Sequence, residues 1–199
     1  MVYKRMEDVA DIMVGLVLRR KEADIGDEKT YNYKSLTLKS FNSEGWINKK
    51  YLDDYDSVEE LDDRYLALKG DVIIRLTNPY TAITITKETE GYVVPSQFII
   101  IRINSKEIIS EYLSLYLNTE KLKRLIFVNA VGVTVPMIKT GTLRDLSIPI
   151  IDKNKQSKVA EISKLIIKER HMLYKLISEK EKYYEALTEA IIMEEERNE

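Results

Sequence analysis

Few side chains in this chain could carry covalent chemistry. The one histidine, His171, stands alone among Glu169, Arg170 and Met172. An imidazole acts as a base or a metal ligand only with matched partners, so His171 reads as a surface or seam residue. No cysteine is present, which excludes thiolate metal sites, thiol nucleophiles and disulfides. What the sequence does offer is non-covalent chemistry for polyanions. Arg19-Arg20-Lys21, Lys49-Lys50 beside Trp46 and Tyr51, and Lys34 beside Tyr31 and Tyr33 are small basic clusters, two of them interleaved with aromatics. Cations of this kind neutralise phosphates and aromatics pack on sugars or bases, although a solvated surface carries the same residue types.

Two short motifs invite an enzymatic reading and do not sustain it. Thr77-Asn78-Pro79-Tyr80 is similar to the Asn-Pro-Pro-Tyr motif with which amino-methyltransferases grip an exocyclic nitrogen, but one proline is missing and no Gly-rich loop after a strand supplies a cofactor cradle. It reads as a turn that ends a strand. Glu179-Lys180-Glu181-Lys182 resembles part of a nuclease Glu-x-Lys signature, yet it lies in a helical stretch without a flanking strand and reads as a charged solvated face. No metal site and no catalytic set emerge, so the chain is expected to be non-catalytic.

The elements that would position these residues fall into two parts. Residues 1–152 read as an irregular α+β domain. Val72 to Leu76 is a strand introduced by the Lys69-Gly70-Asp71 turn and closed by Asn78-Pro79; Ala82 to Thr86 alternates at period two; Tyr92-Val93-Val94 and Phe98 to Ile103 read as two further strands. Ser110 to Ile126 switches to helical spacing. Residues 153–199 read as one long helix. From Gln156 to about Arg197 there is no Gly or Pro, and Val159, Ile162, Ile166, Leu173, Leu176, Tyr183, Leu187 and Ala190 follow an alternating three–four spacing, with Glu169, Lys180 and Glu194 as exceptions. That is the seam of a coiled coil. A rod of some 40 residues is on the order of 60 Å long, more than the preceding domain can cover, so the seam is expected to need another helix.

Bulk properties limit the partners without naming them. The 199 residues are 44% hydrophobic, enough for a real core, and the net charge is −2. The balance is even in both parts, with 21 basic against 22 acidic residues in 1–150 and 10 against 11 in 151–199. Charge alone therefore does not announce a nucleic-acid binder. The N-terminal residues have no apolar run of a signal peptide, and no apolar stretch is long enough to span a bilayer. A soluble, cytoplasmic protein without membrane contact is expected.

Taken in order, five segments resemble the DNA-specificity subunit of Type I restriction–modification systems. Val9-Ala10-Asp11-Ile12 with Gly15 resembles the opening short helix and glycine. Leu36 to Ile47, with Ser43-Glu44-Gly45-Trp46-Ile47, resembles the early isoleucine–leucine and glycine–x–isoleucine segment. Leu68 to Ile74 resembles the leucine–x–glycine–aspartate–valine–leucine strand. Ser110 to Asn118 resembles the proline–x–tyrosine–leucine to leucine–asparagine helix, with Ser110 in place of proline. Leu143 to Pro149, followed by Gln156 and Ile162, resembles the closing isoleucine–proline and glutamine junction into the spacer helix. Because recognition loops vary with the target, the matched positions are expected to be scaffold.

The resemblance implies a target-recognition domain over 1–152 and a spacer helix over 153–199, about half of a complete subunit, with no internal repeat. Two copies, or this chain and another half-subunit, would then pair through Val159, Ile162, Ile166, Leu173, Leu176, Tyr183 and Leu187. The pair would read two half-sites on double-stranded DNA and dock methyltransferase subunits that carry S-adenosylmethionine; this chain would bind no cofactor. Arg19, Arg20, Lys21, Lys34 and Lys49 would contact phosphates, and Arg75, Asn78, Tyr80, Ser96, Gln97 and Lys139 would read base edges. The rival expectation is a coiled-coil interaction module, a remnant or decoy that binds protein partners without touching DNA.

Overall fold

A computed structural model of the chain describes residues 2–24, 26, 30–130 and 137–198. The structure divides into two units, residues 1–161 and residues 162–199.

The first unit is built on a four-stranded antiparallel sheet in the order β2 (Ala10–Val14), β7 (Phe98–Ile103), β5 (Val72–Arg75), β6 (Ala82–Thr84). Its central strands are continuous apolar runs, as expected when both faces of a strand are covered. Side chains alternate between the faces: Ile99 and Ile101 join Val72, Ile74, Ile12 and Ala82 in one core, while Phe98 and Ile100 join Ile73, Ile83 and Ile85 in another. Helices α1 (Ser110–Leu117), α2 (Glu120–Ala130) and α3 (Thr140–Arg144) contribute Leu113, Leu117, Leu122, Ile126 and Leu143 to the first core. Leu36, Phe41 and Ala67 fill the second, with the Phe41 and Phe98 rings 5.0 Å apart. A pair β1 (Val2–Arg5) and β8 (Ser147–Ile150) and a pair β3 (Tyr31–Ser35) and β4 (Asp53–Ser57) complete the unit.

Each of the motif segments does structural work. Gly15 approaches so closely that a Cβ there would lie 2.2 Å from the Pro95 carbonyl oxygen. Gly70 turns the chain at φ 91°, which lets the buried Asp71 accept from the Leu68 N–H (2.9 Å) and from Arg102 Nε and Nη2 (2.9 and 2.8 Å). Arg102 in turn donates to the carbonyls of Asp63 and Leu66, and the neighbouring Asp71 carboxylate holds its guanidinium pKa above the usual arginine value. Tyr112 and Tyr116 donate to the Pro149 and Ser147 carbonyls on β8. Gln156 is fully buried: its Oε1 accepts from the Ile109 N–H, and its Nε2 donates to the Glu107 and Ile151 carbonyls, all within 3.0 Å.

Three local expectations change. Val9 to Ile12 does not open a helix. A single 3-10 turn, Met6–Asp8, precedes strand β2, whose alternating Ala10 and Ile12 enter the core. Tyr92-Val93-Val94 is extended but belongs to no regular strand. Val93 bridges both Ser35 and Leu66, and the segment's backbone hydrogen bonds go to Lys34, Leu36, Tyr65, Ala67 and Leu16 in turn. The helical stretch from Ser110 is broken at Asn118, whose side chain accepts from the Ala82 N–H (3.0 Å) and donates to the Ala82 carbonyl (2.6 Å). That clamp ties the end of α1 to the first residue of β6, and α2 starts anew two residues later.

The last helix, α4, runs from Lys153 to Asn198. At 46 residues it is about 70 Å long. Asp152 caps it by accepting from the Asn154 N–H at 2.9 Å. No helix among the described residues is long and apolar enough to cross a membrane.

Candidate nucleic-acid interface

The antiparallel register brings distant residues to one end of the four-stranded sheet. There β2 ends opposite the start of β7, β5 ends opposite Phe98, and β6 begins. The Leu76 N–H donates to the Gln97 carbonyl (3.0 Å), and the Ile138 N–H to the Leu76 carbonyl (2.9 Å), while Thr77 bridges Met137. On the other side the Ser96 N–H donates to the Leu16 carbonyl (2.8 Å), just before the 3-10 turn Leu18–Arg20. One rim therefore collects Arg19, Arg20, Arg75, Asn78, Ser96, Gln97 and Lys139.

The polar heads on this rim are available. Arg19, Arg20, Asn78, Gln97 and Lys139 are exposed, and Arg75 and Ser96 are half-buried. Arg75 Nε donates to Thr77 Oγ1 at 3.1 Å, which orients the guanidinium without neutralising it. This is the donor and acceptor inventory that base edges and phosphates require.

Four other sequence candidates are placed differently. Lys34 on β3 is ion-paired with Asp54 on β4 at 2.5 Å. Lys21 pairs with Glu59, whose hydrogen bond raises the lysine pKa. Lys49 is exposed on a separate 3-10 turn, Lys49–Tyr51. Tyr80 requires a correction. Its backbone sits at φ 52° and its side chain is only 2% exposed, packed in the first core. Burial pushes its hydroxyl pKa up, and the ring is not presented to a base edge. The left-handed backbone after Asn78-Pro79 turns the ring into the core instead of leaving it on the surface of the turn.

Charge is sorted in space although it balances in sum. Seven carboxylates and no cation lie between Asp53 and Asp63, all seven exposed. A third of the acidic residues of 1–150 thus sits on and beyond β4, where Glu59 pairs with Lys21 beside the Arg19-Arg20 turn. Composition hides this, because a sum carries no position. Among the described residues no group of three His, Cys, Asp or Glu could hold a metal ion. Three further cations, none among the sequence candidates, lie on α2: Lys121 and Arg124 are exposed and Lys123 is half-buried.

In the second unit the expected seam residues lie at the surface. Val159, just before it, and Ile162, Ile166, Leu173, Leu176, Tyr183 and Leu187 are all between 41 and 61% exposed. Leu165, Met172, Ile177, Tyr184 and Ile191 widen the exposed apolar surface.

Comparison with known proteins gives a consistent result. The family model described as Type I restriction modification DNA specificity domain matches residues 1–179. Two solved structures share the fold. One comes from work titled as the structural basis of complex assembly and conformational transition of the type I R-M system (TM-score 0.63, 14% identity, covering 86% of this chain and 43% of that one). The other is the HsdS subunit from Thermoanaerobacter tengcongensis (TM-score 0.59, 14% identity, covering 94% and 46%). The chain thus spans less than half the length of either. No curated protein sequence matches it significantly.

Proposed function

Because the chain belongs to the family of Type I restriction–modification DNA specificity domains, we propose that it is the target-reading part of a methyltransferase complex, working as a helix-paired dimer. The observation that carries this reading is the rim, where polar heads from four separate segments converge at one sheet end while the motif residues are spent on scaffold. Arg19 and Arg20 contact phosphates, which position the domain, with Lys21, Lys34 and Lys49 as weaker contributors. Arg75, Asn78, Ser96, Gln97 and Lys139 face the base edges, which specify.

Pairing of two copies through the α4 stripe gives two inverted, identical half-sites, with the helices setting the gap between them. Modification subunits dock on the pair and bring S-adenosylmethionine to an adenine; a separate subunit cleaves unmodified DNA. The work of this chain is geometric, done in the cytoplasm, and leaves the chemistry to its partners.

Selection of binding sites from random duplexes, with the chain and its modification subunits together, tests this. The expected outcome is a bipartite inverted motif. The Gln97→Ala variant relaxes one position in each half, at about 1–3 kcal/mol of discrimination. Selection that returns no motif, with DNA affinity unchanged by salt, leaves an interaction module that binds only proteins and overturns the reading.

A further inference from the structure

The outward face of α2 is basic and greasy at once, and its large apolar side chains stand half exposed or more. Leu122 and Ile126 are buried and fix the inward side. At about 100° per residue, Arg124 then points away from the core, Lys121, Phe127 and Val128 flank it, and Leu125 and the half-buried Lys123 lie at the two edges. Leu125 and Phe127 are each 49% exposed and Val128 is 67% exposed.

We propose that this face lies along double-stranded DNA, its cations on backbone phosphates and its apolar side chains against sugars and thymine methyl groups. The inference rests on the DNA-recognition reading above and adds a second contact surface to it.

Two observations support DNA as the occupant. The first is charge. Among the eleven residues of α2 there are three cations against the single carboxylate Glu120. Unlike Lys21 and Lys34, none of the three is spent on an internal ion pair among the described residues. The second is place. Asn118 clamps Ala82, the first residue of β6, so α2 departs from the sheet end that carries Arg75, Asn78 and Gln97. Beyond α2, Met137 returns to bridge Thr77 on the same rim.

The test compares salt dependence of affinity for a fluorescent random-sequence duplex, using the full chain with its modification subunits. The Lys121→Gln, Lys123→Gln, Arg124→Gln triple variant should flatten the log–log slope by about two to three, at roughly 0.9 per lost phosphate contact. Its selected sequence motif should stay unchanged, as phosphate contacts carry no sequence information. A Lys21→Gln, Lys34→Gln variant should change the slope by less than about one, as those charges are already paired. The charge-keeping Lys121→Arg, Lys123→Arg, Arg124→Lys variant should retain the full slope, with thermal melting to check folding.

Salt-independent or absent DNA binding by the unmodified complex would overturn the DNA reading itself. A steep slope in the unmodified complex that the triple variant keeps would overturn this inference alone. So would a triple variant that keeps its slope and loses the modification subunits, since α2 would then be a protein contact.

Discussion

Val72, Ile73 and Ile74 on β5 and Leu173, Leu176 and Ile177 on α4 are equally apolar, yet the first three are fully buried and the last three are more than half exposed. The strand lies inside a sheet with a core on each face, so both sets of its alternating side chains find partners in the same unit. The helix residues of the second unit have no such layer. Hydrophobicity therefore states a demand, and topology decides whether the chain or a partner satisfies it. The sheet of the first unit meets its own demand. The second leaves its stripe open, and the proposed pairing would close it.

The largest expected effect breaks the second half of that contrast. Leu173→Asp with Leu176→Asp places charges on the stripe. Full burial of a leucine is worth about 1.5–3 kcal/mol, and a two-fold dimer would lose four such side chains. Sedimentation equilibrium should show the parent chain as a dimer and the double variant as a monomer with the first unit still folded. A parent chain that stays monomeric at high concentration would show that the stripe needs no second copy.

A smaller effect probes the first unit from within. Arg102→Ala leaves the Asp71 carboxylate, 3% exposed, with no cation. The cost should be about 3–4 kcal/mol, at the lower end of the range for broken buried pairs because the guanidinium is itself a quarter exposed. Tm should fall by about 5–15 °C in calorimetry, while the dimerisation constant per folded chain should be unaltered. A change in dimerisation of similar size would mean that the two units do not meet their demands separately.

The smallest effect tests the joint. Gln156→Ala removes the partner of the Ile109 N–H and of the Glu107 and Ile151 carbonyls. About 1–3 kcal/mol should be lost, limited by the room a water would gain. Hydrogen exchange should report faster opening at the start of α4 and in the segment before α1, with strands β5 and β7 still protected. Uniform loss of protection would show that the junction is part of the global core.

Much of this was legible beforehand, for identifiable reasons. Strands β5 and β7 announced themselves because a short apolar run bounded by Lys69-Gly70-Asp71 or by Pro95-Ser96-Gln97 has few other solutions. The α4 seam was readable because forty residues without Gly or Pro at three–four spacing admit little but a helix. The family was readable from five segments in order, and the structure shows those segments as glycine contacts, buried hydrogen bonds and one ion pair, all of which depend on residue identity. The rim was half legible. Residue types that suit DNA could be listed, but Tyr80 belonged to the core, and Lys21 and Lys34 had carboxylate partners 38 and 20 positions away. The split at Asn118 escaped for the same reason, since its side chain answers to Ala82, 36 positions earlier.

Local spacing by itself determined the periodicities of β5, β6 and β7, where the long helix runs, and that an apolar stripe lies along it. These follow from backbone geometry that repeats every two or 3.6 residues. Only the tertiary structure decided which charges are free, which tyrosine is buried and which sheet end collects the rim. Those depend on pairings between residues far apart in the chain, and linear order carries no distance in space.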